Sequence, residues 1–122
     1  MEEVKGGKKM DFNEYQKAII KYDLGVATDK VSNPDFMDKL LGLVGESGEV
    51  AEKFKKVIRD KNSEMSEVDR EEIAKELGDV LWYIATIARY MEIPLEEIVK
   101  KNLDKAQSRY ERGKLGGAGD NR

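Results

Sequence analysis

The chain has 122 residues, 39% charged and 39% hydrophobic, a net charge of −3, and neither cysteine nor histidine. Its length supports one domain around a single core, and only two prolines among so many charged residues favour helices over a sandwich or barrel. The missing residue types exclude disulfides, Cys/His zinc centres, thiol nucleophiles and imidazole-based triads, and the negative net charge argues against a protein whose main task is coating nucleic acid.

In chain order, residues 1–10 read as a flexible N-terminal segment and 11–113 as one helical domain. The first helix lies in "DFNEYQKAIIKY", where Asp11 can cap and Phe12, Tyr15, Ile19 and Tyr22 recur at helical spacing. After the polar connection "DLGVATDKVS", Asn33-Pro34 gives a cap followed by proline at the first helical position, opening a helix that runs to about Asp60. Its apolar stripe is Phe36, Leu40, Leu43, Val44, Val50, Phe54 and Ile58. A third helix, roughly 69–91, turns Ile73, Leu77, Val80, Ile84, Ile87 and Met91 inward. Trp82 falls on its far side, as an interface anchor would. Pro94 opens the fourth helix, with Leu95, Ile98, Leu103, Ala106 and Tyr110 as its spine and Gly113 as its stop. Residues 114–122 read as a flexible tail or a loop that substrate or a partner orders. No strand pattern competes, so the expected fold is an all-α bundle of four to five helices. The longest apolar run, "VLWYIATIA", is too short to span a bilayer, and the polar N-terminus is unlike a signal peptide, so a cytoplasmic protein without membrane contact is expected.

Two consecutive helices carry acids in one arrangement: Glu46 and Glu49, then Glu76 and Asp79, each pair three residues apart and so on one helix face. At 100° per residue, Glu46 sits roughly 90° and Glu76 roughly 80° from the centre of its apolar stripe, on the border between core and solvent. If the two helices pack antiparallel, as a short connection favours, the pairs can meet at the seam. Four carboxylates there repel unless a hard, oxygen-seeking cation neutralises them; exposed salt bridges to residues such as Lys53 and Lys75 are the alternative. Tyr83 continues the face of Asp79, and Lys53, four residues after Glu49, is placed to reach a phosphate. Asn102, Lys105, Arg109 and Arg112 form one polar stripe able to hold phosphate oxygens or simply to be solvated. No G-x-x-x-x-G-K-[ST] loop is present. Gly42, Gly45 and Gly48 interrupt the second helix at about 1 kcal/mol each; close approach of another helix or a metal-bound triphosphate would explain them.

"GLVGESGEVAEKFKK" followed by "KELGDVLWYIATIARYMEIPLEEI" resembles the MazG-like all-α nucleoside triphosphate pyrophosphohydrolases, whose signature is E-x-x-E, a spacer and E-x-x-D; here the spacer is 26 residues. The ending, Gly-x-Gly-Asp-Asn-Arg, resembles a subgroup of that family. The resemblance implies hydrolysis of (deoxy)nucleoside triphosphates to the monophosphate and pyrophosphate, a nucleotide-pool housecleaning role. It further implies Mg²⁺ held by Glu46, Glu49, Glu76 and Asp79, with Mn²⁺ as a substitute. By the same resemblance Asn102, Lys105 and Arg109 contact the triphosphate, Tyr83 lies near sugar or base, and the chain forms a homodimer or a dimer of dimers. Glu49 is taken as the base. A non-catalytic helical module that binds nucleotide or a partner, and a hydrolase of another diphosphate substrate, are the alternatives.

Overall fold

The computed structural model describes residues 9–120 and 122, so most of the expected flexible segment 1–10 lies outside the described residues. Within them the chain is all-helical: α1 (Phe12–Ala18), a short 3-10 turn (Ile20–Tyr22), α2 (Pro34–Asp60), α3 (Glu67–Tyr90) and α4 (Leu95–Glu111). The expected caps form. The Asp11 carboxylate accepts from the amide of Glu14 at 2.7 Å, and the Asn33 side chain from that of Asp35 at 2.9 Å, with Pro34 opening α2. Ser66 and Asp69 add a reciprocal capping box at the start of α3. No described helix is long and apolar enough to cross a membrane.

The most extensive packing joins α2 to α3. Their register is antiparallel, because partners on α3 descend as α2 ascends: Phe36 meets Tyr90 (ring centroids 6.3 Å apart), Lys53 meets Glu72 (3.3 Å), and Lys61, just past α2, meets Asp69 (2.5 Å). α1 then locks α3 to α4. The Gln16 side chain donates to the carbonyls of Ala85 (3.2 Å) and Ile93 (3.0 Å) and accepts from the amide of Leu95 (3.0 Å), while the Asn13 side chain accepts from the amide of Glu96 (3.1 Å). Pro94 brings no capping side chain of its own, so the first amides of α4 are satisfied from α1, far away in sequence.

The core is narrower than the apolar stripes suggest. Ile19, Phe36, Val57, Ile73, Ala85, Ala88, Tyr90 and Leu95 are buried, whereas Leu40, Val44, Phe54, Ile58, Leu77, Met91, Leu103 and Tyr110 remain exposed. One chain covers only one edge of each stripe. Trp82 corrects the expectation of an outward anchor: it is half-buried, packed on the Ile19–Ala85–Leu95 cluster beside Tyr15 and Ile84.

A buried charge network fastens the α1–α2 connection to both long helices. Asp23, with its side chain 1% exposed, accepts from the Tyr90 hydroxyl (2.6 Å), Arg89 Nη2 (2.7 Å) and the Gly25 amide (2.8 Å), and pairs with Lys39 Nζ at 3.2 Å. Burial pushes the Asp23 carboxyl up, but these donors outweigh it and hold the group below the usual carboxylate range. Burial and the Asp23 charge raise the Tyr90 hydroxyl to about 12, keeping it a donor at neutral pH. A depressed carboxyl stabilises the fold above its unfolded pKa and loses that contribution as pH falls through its folded value. Asp23→Asn, which strands the buried cations, should therefore cost about 3 kcal/mol at pH 7 and much less at pH 3. Urea unfolding at both pH values measures this, and equal midpoints at pH 7 would show that the network contributes nothing.

Candidate metal centre

The E-x-x-E and E-x-x-D segments lie midway along α2 and α3, where the antiparallel register sets them opposite one another. Glu46, Glu76 and Asp79 each bring one carboxylate oxygen to a point where all three lie within 4.8 Å of one another. Glu46 and Glu76 are half-buried, as border positions should be, and Asp79 is exposed. Burial, then a hydrogen bond to Glu76 and the charges of Asp79, Glu76 and Glu49, push the Glu46 carboxyl above its ordinary range. Glu49 acts on Glu46 through its charge but is exposed and stands outside the three-oxygen group. An all-carboxylate cluster under mutual repulsion, partly open to solvent, fits a hard divalent cation and no soft one.

A cavity of about 310 Å³ opens beside the acids, lined by Tyr22, Glu46, Asp79, Trp82 and Tyr83. Tyr83 and Trp82 meet edge to face with centroids 5.0 Å apart. The Tyr83 ring lies directly on the backbone of α2 at Gly42, where a Cβ would overlap it. Gly42 is thus a close-approach glycine, whereas Gly45 and Gly48 face open space. Tyr15 packs beside Trp82 on the Ile19–Ala85–Leu95 cluster, where burial and then the charge of Asp79 raise its hydroxyl.

Comparison with known proteins gives the family of the chain. The model of the MazG nucleotide pyrophosphohydrolase domain matches residues 37–113. The "Gene 37 protein" of Mycobacterium phage L5 is 46% identical over 82 residues, covering 67% of this chain and 72% of that protein. No solved structure matches. The chain belongs to the MazG nucleotide pyrophosphohydrolase family.

The MazG match spans all four motif acids together with Lys53, Tyr83, Asn102, Lys105 and Arg109, and it leaves out α1, Tyr22 and residues 114–122. Of the residues expected at the site, Glu46, Glu76, Asp79 and Tyr83 come together. Lys53 does not: it pairs with Glu72 in a separate groove with Lys56, Asp60 and Lys61. Asn102 and Lys105 line a cavity of about 330 Å³ with Ile98 and Lys101, which shares no residue with the acidic one, and Lys105 and Arg109 both pair with Asp120 at 3.2 Å. Sequence reasoning missed Tyr22, whose only local signal was its helical spacing with Ile19.

Repulsion inside the cluster makes a stability test of the centre. Glu46→Gln removes one of the like charges, so it should raise the melting temperature of the metal-free protein by about 1–3 °C. The same change should shrink the shift of about 5 °C that a hard divalent cation at many times its Kd gives the wild type. Scanning calorimetry with and without EDTA measures both, and a wild-type transition indifferent to divalent cations would remove the metal reading.

Proposed function

We propose that the protein hydrolyses (deoxy)nucleoside triphosphates between the α and β phosphates, releasing the monophosphate and pyrophosphate, with Mg²⁺ as cofactor and Mn²⁺ as a substitute. The observation that carries this reading is the meeting of the Glu46, Glu76 and Asp79 carboxylate oxygens across the α2–α3 seam. These residues, with Glu49 one turn along α2, would hold the cation. Bound there, it would supply charge neutralisation at the phosphates and a more acidic water. Glu49 is assigned as the base because it is exposed and outside the tight group, so one of its two oxygens can stay off the cation and take a proton from the attacking water. The water oxygen bonds to the α-phosphorus, the bond from that phosphorus to the α–β bridging oxygen breaks, and pyrophosphate departs with the electron pair. Tyr83, Trp82 and Tyr22 give the cavity an aromatic wall suited to sugar and base, and its lining carries no Lys or Arg to receive a further anion. A housecleaning role in the nucleotide pool, in the cytoplasm, follows from that reaction.

Asn102, Lys105 and Arg109 are assigned to the triphosphate. The cavity of Asn102 and Lys105 and the acidic one have separate linings, and what joins them in this proposal is a second copy of the chain. Large exposed side chains on three helices, among them Leu41, Val44, Ile58, Leu77 and Leu103, support a homodimer or a dimer of dimers, since monomers seldom leave apolar faces of this extent to water. Light scattering should give a mass of two or four chains, and a monomer at micromolar concentration would sink the assembly.

The reaction is tested by pyrophosphate release from a panel of common and damaged nucleotides with Mg²⁺. Asp79→Asn and Glu49→Gln should lower kcat at least about 100-fold with the circular dichroism spectrum unchanged. Folded wild-type protein that releases pyrophosphate from no nucleotide would end this reading.

A further inference from the structure

Residues 114–122 lie beyond the family match, and the described ones, 114–120 and 122, fold back on α4 instead of trailing from it. Gly117 and Gly119, at φ +99° and +83°, make turns that a residue with a side chain takes only under strain. The Arg122 guanidinium closes the loop by donating to the carbonyls of Lys114 (3.2 Å), Leu115 (3.3 Å) and Gly119 (2.7 Å), and Arg112 donates to the carbonyl of Arg122 at 2.7 Å. The closed loop delivers a single carboxylate to α4: Asp120 Oδ1 lies 3.2 Å from both Lys105 Nζ and Arg109 Nη2.

The two sides of this contact are unequal. Arg109 is nine-tenths buried, its Nη2 also donates to the carbonyls of Asp120 (3.1 Å) and Gly119 (3.4 Å), and its Nε is buried without a hydrogen-bond partner. It is a fixed cation with donor capacity to spare. The Asp120 side chain is 83% exposed, so it is held by a surface ion pair, which contributes little to stability. A phosphate group offers the same two donors more acceptor oxygens and more charge than one carboxylate does.

We propose that Asp120 stands in for a phosphate group: it pairs Lys105 and Arg109 in the ligand-free chain and is displaced by the polyphosphate of an incoming nucleotide, which frees the 114–122 loop from α4. The inference rests on the assignment of Lys105 and Arg109 to the triphosphate and adds a competitor that the chain itself carries. The loop is then a strap whose release reports an occupied phosphate site. Arg109 Nη2 keeps its carbonyl partners only while the strap is closed, so that donor becomes available to the ligand as the strap leaves.

The test is calorimetric titration of the full-length chain with inorganic tripolyphosphate in EDTA at low salt, which takes the metal centre out of the measurement. Asp120→Asn keeps the shape and an acceptor oxygen but removes the charge; it should bind about two- to fivefold more tightly than wild type, the factor a surface ion pair is worth. Lys105→Gln, at a half-exposed position, should bind more weakly than wild type. In the wild type, the amide resonances of Gly116, Gly117 and Gly119 should shift as tripolyphosphate is added. Affinity in Asp120→Asn equal to or below wild type, tail resonances that do not move, or no binding by either protein would overturn the strap. Pyrophosphate release measured separately keeps the two readings apart: an active enzyme with an unchanged Asp120→Asn titration loses the strap alone, and an inactive one loses the reaction while the titration still decides the strap.

Discussion

Like charges do not gather unless something presses them together, and here that something is the packing of α2 on α3. The two helices are clamped at both ends of their contact. At one end the short connection and the Lys61–Asp69 pair fix the turn; at the other, Asp23 ties Lys39 of α2 to Arg89 and Tyr90 of α3 through a network almost closed to water. Between the clamps, the Tyr83 ring rests on the bare backbone at Gly42 and sets how near the helices come. Glu46, Glu76 and Asp79 occupy the stretch between, so they cannot move apart without opening a seam fixed on both sides. Burial in that seam, then the neighbouring carboxylates, push the Glu46 carboxyl upward.

The constraint also explains the division of labour on α3. One side of this helix carries Glu76, Asp79 and Tyr83 toward α2; Trp82 stands between, lining the acidic cavity and packing with Ala85 and Tyr15 on the cluster that joins Ile19 to Leu95 of the next helix. Gln16 then stitches the Ala85 carbonyl of α3 and the Ile93 carbonyl beyond its end to the first amide of α4. A helix that bears repelling acids on one face is thus buttressed from behind by an apolar cluster and a shared cap. What the described residues do not do is cover the remaining apolar faces of α2 and α4. The same sequence that builds a rigid acidic seam leaves Val44, Ile58 and Leu103 in water.

Much of this was legible in the sequence wherever the signal was local. Helix limits followed from 3.6-residue periodicity and from caps at Asp11 and Asn33, and the two acid pairs were visible because three-residue spacing is a property of one helix. The antiparallel meeting of the pairs followed from the short connection between their helices. Local signals failed where a side chain's fate is decided by a distant neighbour. The stripe of α2 was read as core, yet Leu40, Val44, Phe54 and Ile58 are exposed, because periodicity says which residues share a face and not what covers that face. Trp82 was read as outward because the reference was the helix's own stripe, and α1 supplies the surface it packs on. Lys53 was placed near the acids by spacing, but Glu72 on the facing helix takes its charge. Nothing within ten residues of Asp23 or Lys39 announces that they will meet.

The positions of negative and positive charge in this fold obey opposite demands. Carboxylates that must share a cation have to be in place before it arrives, against their own repulsion, so they belong on long helices clamped at both ends. Cations that receive an anion face no such cost if an internal carboxylate keeps them paired meanwhile, and a partner that must leave is best carried on a segment with few other attachments. The strap meets that description: outside the long helices, turned by glycines, joined to α4 mainly through polar contacts with an exposed carboxylate at the tip. Burying Asp120 as deeply as Asp23 would turn the same ion pair into a structural clamp and make it too costly to exchange. Its exposure is therefore the property on which exchange with a phosphate depends, just as the burial of Asp23 is the property on which the acidic seam depends.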